Sequence, residues 1–318
     1  MSIQKKIYMI KVFTIGETVF DIIFQNQSPV SAKPGGAMLN TAVSLGRMNI
    51  PVSLISEFAN DKIGKITEDF LNKNKVSTNY ISKFTNGQTA ISTAFLDDKK
   101  NASYSFYKNY PKNRFASPLP VVNCDDIVLF GSFYSLTPEV RKHVFDFVNA
   151  AAKNNAIIIY DPNIRKPHKN KINELIDFIF ENINIADIIR ASDEDFTTIF
   201  NTSNANDVYK KIIAKSHKNL IYTQNEKEVQ LISNLFSKDY KVPKIKPLST
   251  IGAGDSFNAG IIYAIYKNNI KRKDINSLSI ENWNKIIESG IEFATNACLS
   301  YDNYIPESFA SNNNSLLT

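Results

Sequence analysis

Short apolar runs rich in valine and isoleucine alternate along this chain with longer stretches of helical periodicity. The runs at 11–15, 52–56, 127–131, 156–160 and 220–223 are apolar almost throughout. Strands of that kind are buried on both faces, as in a parallel sheet. Between and after them, 37–48, 62–73, 138–154, 171–182 and 207–217 carry the spacing of amphipathic helices. The clearest is 138–154, where Val140, Val144, Phe147, Val148 and Ala151 form one stripe. It opens Thr137-Pro138-Glu139: a capping residue, a proline at the first helical position and an acid beside the positive helix end. The alternation predicts an α/β fold, a mostly parallel central sheet with helices on both faces.

Two segments break that rhythm. Residues 19–24 follow the first strand with no helix between them, and 89–96 is joined to 102–107 by the polar turn Asp97-Asp98-Lys99-Lys100-Asn101. They predict a small antiparallel sheet over one edge of the domain, either a lid that keeps water from a site or a plain β-extension. One domain over 1–310 is expected, with lid strands inserted at about 18–30 and 88–108 and a flexible tail over 311–318. Of the 318 residues 43% are hydrophobic and 21% charged, enough for a core and against intrinsic disorder. The net charge of +6 is spread along the chain, so no basic stripe marks a nucleic-acid partner. Cys124 and Cys298 make neither a disulfide framework nor a zinc site, and His143, His168 and His217 lack metal-ligand spacing. Lys11 cuts the first apolar run, and no stretch of about eighteen apolar residues exists, so a cytoplasmic protein without a membrane partner is expected.

The chemistry concentrates at Gly252-Ala253-Gly254-Asp255, which leads into an apolar helical pattern. Small residues let the backbone approach a ligand, and a helix start adds unpaired N–H groups and the positive dipole end. That is an anion hole suited to a phosphoryl group. Asp255, in the first turn, is placed to take the proton of a hydroxyl attacking phosphorus. An acid opening a helix is also a common cap, so spacing alone leaves both roles open. Phe257 stands where a GxGxxG fingerprint needs glycine, and no GxxxxGK[ST] occurs, which excludes dinucleotide-binding and P-loop readings.

Ser249-Thr250-Ile251-Gly252-Ala253-Gly254-Asp255 resembles the second signature of the PfkB (ribokinase-like) carbohydrate kinases, DTxGAGD. Gly35-Gly36-Ala37-Met38-Leu39-Asn40, followed by Leu45-Gly46-Arg47-Met48, is similar to the first. Gly16-Glu17 with Asp21, Asn60-Asp61-Lys62-Ile63-Gly64, Asp161-Pro162-Asn163-Ile164-Arg165 and Thr223 match further landmarks in order, over about 10 to 305. The resemblance implies a ribokinase-like fold and ATP-dependent phosphorylation of a sugar's primary hydroxyl, with Asp255 as base and Gly252, Ala253 and Gly254 as anion hole. It implies sugar contacts from Asp21, Gly35, Gly36, Asn40, Asn163 and Arg165, and nucleotide contacts from Thr223, Gly252, Gly254 and Asn296. Those side-chain types suit a ring that offers several hydroxyls and no charge.

Three departures qualify the likeness. Ser249 replaces the aspartate that in the family helps hold a monovalent cation, so potassium is not implied. Ser192-Asp193-Glu194-Asp195 stands for the family's N-x-x-E, which makes Asp195 an indirect magnesium contact. The family's T-x-G-x-x-G reads Thr223-Gln224-Asn225-Glu226-Lys227-Glu228; asparagine tolerates a left-handed turn, whereas Glu228 is a poor stand-in for glycine. The expected partners are ATP, Mg2+ and a small sugar. Fructose comes first, with 2-keto-3-deoxygluconate, ribose or a nucleoside as alternatives, and an idle sugar- or nucleotide-binding protein as the reading from another class. A monomer and a homodimer paired through the lid both stay open.

Overall fold

The computed structural model describes residues 9–96, 102–115, 118–164, 170–210 and 218–315. Its strands are β1 (Val12–Ile15), β2 (Val19–Gln25), β3 (Ser28–Gly35), β4 (Val52–Ala59), β5 (Val76–Phe84), β6 (Gln88–Leu96) and β7 (Ala102–Asn109), then β8 (Ile127–Gly131), β9 (Ile157–Asp161), β10 (Ile188–Ser192), β11 (Asn219–Thr223), β12 (Glu228–Ile232) and β13 (Ser237–Lys241). The helices are α1 (Ala37–Arg47), α2 (Lys62–Lys73), α3 (Pro138–Lys153), α4 (Ile172–Ile185), α5 (Asp193–Phe200), α6 (Ala205–Val208), α7 (Ala253–Lys267), α8 (Ile280–Cys298) and α9 (Glu307–Ser315).

The apolar runs pair into a nine-stranded sheet, ordered β13-β12-β11-β10-β9-β8-β1-β4-β5. The pairs from β11 through β10, β9, β8, β1 and β4 to β5 are parallel, and β12 and β13 add an antiparallel edge. Continuous apolarity has a simple cause here. In β8 and β9, Ile127, Leu129, Ile157 and Ile159 pack into a core shared with α1, α7 and α8. Their neighbours Val128, Phe130, Ile158 and Tyr160 point the other way, into a core shared with α3, α4 and α5. Both faces need apolar side chains, so the run does not alternate.

Four differences from the sequence reading have physical reasons. The strands β3, β5, β10, β12 and β13 escaped it because polar residues, charges or prolines break up their short runs; Arg190 sits inside β10 and is 7% exposed. The second sheet, ordered β3-β2-β6-β7, is antiparallel only in its outer pairs, since β2 and β6 run parallel. That central pairing needs a long crossover, which α1, β4, α2 and β5 supply. Residues 311–315, expected in a flexible tail, continue α9, where Phe309 packs edge-on against Phe293 and Ala310 is buried. The helix expected at 207–217 appears as α6; residues 211–217, the Asp97–Asn101 turn and Arg165 lie outside the described residues. Among the described residues, no helix is long and apolar enough to cross a membrane.

Candidate active site

The small sheet and the carboxyl ends of the parallel strands bring distant motifs together. Gly35 and Gly36 join β3 to α1. A side chain at Gly35 would place its Cβ 1.9 Å from Asp21 Oδ2, so the carboxylate of β2 rests directly on that glycine. Gly36 caps α1 at φ 121°, with the Glu17 carbonyl filling the space a Cβ would take. One turn into α1, Asn40 is 4% exposed and turns its amide towards the start of α7.

Asp255 is the meeting point. It lies in the first turn of α7, behind Gly252, which caps the helix in the left-handed region at φ 78°. Its Oδ2 accepts from Asn40 Nδ2 at 2.8 Å, and its Oδ1 accepts from Asn163 Nδ2 at 3.3 Å. Thr41 Oγ1 donates to its backbone carbonyl at 2.9 Å. Asn163 sits at φ 42° in the turn that leaves β9, and the next amide, Ile164 N, donates to Asp195 Oδ1 at 2.7 Å. Three sequence motifs thus converge on one carboxylate that is 5% exposed. A carboxylate held by two amide donors keeps its ionised form hydrogen-bonded and its orientation fixed.

Below the cradle lies a charge that the sequence reading missed. Arg190 Nη1 donates to Asp161 Oδ2 at 3.1 Å and Nη2 to Thr223 Oγ1 at 2.9 Å. Its guanidinium lies behind Gly254, where a Cβ would come within 2.9 Å of Nη1, and 5.6 Å from the centre of the Phe257 ring. Asn258 Nδ2 completes the group with a 2.6 Å bond to Asp161 Oδ2. Burial pushes the Asp161 carboxyl up to about 6, with Arg190 and Asn258 pulling the other way. The available signal was a cation within the strand-like stretch 188–192. A second overlooked residue is Asn303, fully buried between α8 and α9, whose Nδ2 donates to Asp21 Oδ2 at 3.1 Å.

Other expected residues have different surroundings. Asp195 forms a capping box with Ser192, its Oδ2 accepting from Ser192 N at 2.8 Å and Ser192 Oγ at 2.6 Å. With Oδ1 on Ile164 N, the same carboxylate ties the start of α5 to the loop after β9. Among the described residues no His, Cys, Asp or Glu cluster of three or more gathers to hold a metal directly. Thr223 ends β11 with its hydroxyl on Arg190. Asn225 does turn, at φ 48°, and Glu228 needs no special conformation because it begins β12 opposite Lys241. Asn296 lies on α8 with Nδ2 on the Glu292 carbonyl at 2.9 Å. Ser249 Oγ accepts from Ile251 N at 3.2 Å and so closes the turn before Gly252.

A carboxylate at the head of a helix, a glycine cap before it and a strand of the small sheet bearing a second carboxylate are the parts a phosphotransferase-like site needs. Residues 9–279 match the model of the pfkB family carbohydrate kinases, and the chain belongs to that family. An uncharacterized sugar kinase of Pyrococcus horikoshii is 30% identical over 266 residues, covering 80% of this chain and 82% of its own. A fructokinase of Vibrio alginolyticus is 23% identical over 256 residues, 80% of this chain and 83% of its own. Among solved structures, a fructokinase from Vibrio cholerae O395 with fructose, ADP and calcium ion bound superposes with a TM-score of 0.80, at 19% identity, over 93% of this chain and 94% of its own. The P. horikoshii protein, solved in complex with ATP, gives 0.76 at 25% identity over 94% and 96%.

Proposed function

We infer that this carbohydrate kinase transfers the γ-phosphoryl group of ATP to a primary hydroxyl of a small uncharged sugar, with fructose the first candidate. The observation that carries the reading is the convergence of Asn40 and Asn163 on Asp255 beside the Gly252 cap. In the proposed step, Asp255 takes the hydroxyl proton while the sugar oxygen bonds to the γ-phosphorus. The bond from that phosphorus to the β–γ bridging oxygen breaks, and its electron pair leaves on ADP. The positive end of α7, where Ala253 N also donates to the Thr250 carbonyl at 3.3 Å, would meet the charge that develops on the phosphoryl oxygens. Arg190, paired with Asp161 and fixed behind Gly254, forms the floor under the same turn.

Asp21, reaching in from the lid with Gly35 beneath it, supports a sugar end to the cleft. The nucleotide base would lie between β13 and α8, where Tyr240, Pro243, Ile291 and Thr295 help line a cavity of about 400 Å³ next to Asn296. Magnesium, carried on the nucleotide phosphates, would neutralise their charge as they are transferred. Fructose leads because fructokinases recur among the relatives. A coupled assay of ADP release across fructose, ribose, 2-keto-3-deoxygluconate and nucleosides tests this. Turnover with fructose as the best neutral acceptor is expected, and no turnover on any acceptor overturns the reading.

A further inference from the structure

The segment between α8 and α9 carries none of the sequence signatures, yet it touches both halves of the proposed site. Asn303 is fully buried within it. A carboxylate can only accept, so the bond to Asp21 Oδ2 fixes the amide with Nδ2 towards Asp21. The other end, Oδ1, is buried and meets no donor among the described residues. The backbone of the same residue backs the anion hole, its carbonyl oxygen lying 2.0 Å from where a Cβ on Gly252 would be. The segment is clamped on both sides. Lys33, opposite Asp21 in the lid pairing, donates to the Tyr301 carbonyl at 2.7 Å, and Arg47 of α1 donates to the Ile305 carbonyl at 2.7 Å.

We propose that Asn303 is a positioning residue: it orients the Asp21 carboxylate towards the sugar and registers it on the Gly252 turn. The inference rests on the reading of Asp21 as a sugar ligand given above. Burying an acceptor without a partner costs stability, so the gain from this amide lies chiefly in where it holds Asp21. Leucine would remove this donor, and aspartate would face the carboxylate with a second negative charge. Asparagine alone of the three both fits and donates.

The test compares steady-state kinetics of the parent, Asn303→Ala, Asn303→Asp and the swap Asp21→Asn with Asn303→Asp, using fructose and ATP. A hydrogen bond to a charged group predicts a sugar KM raised about tenfold or more in Asn303→Ala, with the ATP KM within about threefold. In Asn303→Asp two carboxylates share one site, so the sugar KM is raised at pH 8 and recovers towards the parent near pH 5, where the pair holds a proton. A bracing role alone would lower the unfolding temperature and leave the sugar KM and its pH profile unmoved. If Asn303→Ala does not fold, Asn303→Asp and the swap carry the comparison. A folded variant with a sugar KM within twofold of the parent at pH 8 overturns the proposal. A parent that turns over no sugar overturns the functional reading instead.

Discussion

Replacing Arg190 by methionine isolates the charge pair beneath the cradle. In the parent, Asp161 is fully buried and shares Oδ2 between Arg190 Nη1 at 3.1 Å and Asn258 Nδ2 at 2.6 Å. Methionine fills most of the volume and removes the cation, leaving Asp161 with the Asn258 bond only. Removing one partner of a buried pair costs about 3–5 kcal/mol, because the remaining charge is uncompensated. The cost depends on pH with a definite sign. Burial already raises the Asp161 carboxyl to about 6, and without Arg190 it rises further. Where a folded-state value exceeds the unfolded one, the folded protein binds the extra proton, so this group's contribution to stability falls as pH rises through that window. The variant is therefore expected to lose most at pH 8 and less near pH 5, where Asp161 is neutral. Urea unfolding of the parent, Arg190→Met, Asp161→Asn and the double variant at both values measures this, and the double variant should cost less than the two singles together. A loss for Arg190→Met below about 1 kcal/mol at pH 8, or one independent of pH, would refute the reasoning.

Two further outcomes bear on the lid. Asp21→Ala should raise the sugar KM strongly while leaving ATP affinity nearly intact; a fall in ATP affinity instead would put Asp21 in the wrong half of the site. Hydrogen exchange at 89–96 and 102–107 should slow when sugar binds, since a closing lid excludes water, and equal protection in both states would mark a fixed β-extension.

Sequence pattern carried the large sheet well because its physical cause is local. A strand buried on both faces must be apolar at every position, so Ile127–Gly131 and Ile157–Asp161 announce themselves. Strands whose reason lies elsewhere stayed hidden. The run of β10 is broken by Arg190, whose burial makes sense only beside Asp161 and Thr223, residues far away in sequence. The β3 strand holds Pro29 and Pro34 and is tolerated at the edge of the small sheet. At the site, Asp255 stood out at its glycine-rich helix start and Asn40 and Asn163 through the resemblance to family motifs, whereas Asn303 belongs to no motif and is recognised only by the carboxylate it meets. Asp195 matched a family motif in spacing, and its capping box with Ser192 follows from its place at the start of α5.

The most direct test of the central claim is the turnover of Asp255→Asn with fructose and ATP. Asparagine keeps the shape of the side chain and its place in the first turn of α7, and it cannot take up the hydroxyl proton. The account predicts a folded protein with kcat lowered on the order of 10²–10⁴-fold and only a modest change in sugar KM. Retention of more than about a tenth of the parent kcat would contradict it, since that exceeds what the loss of a general base allows.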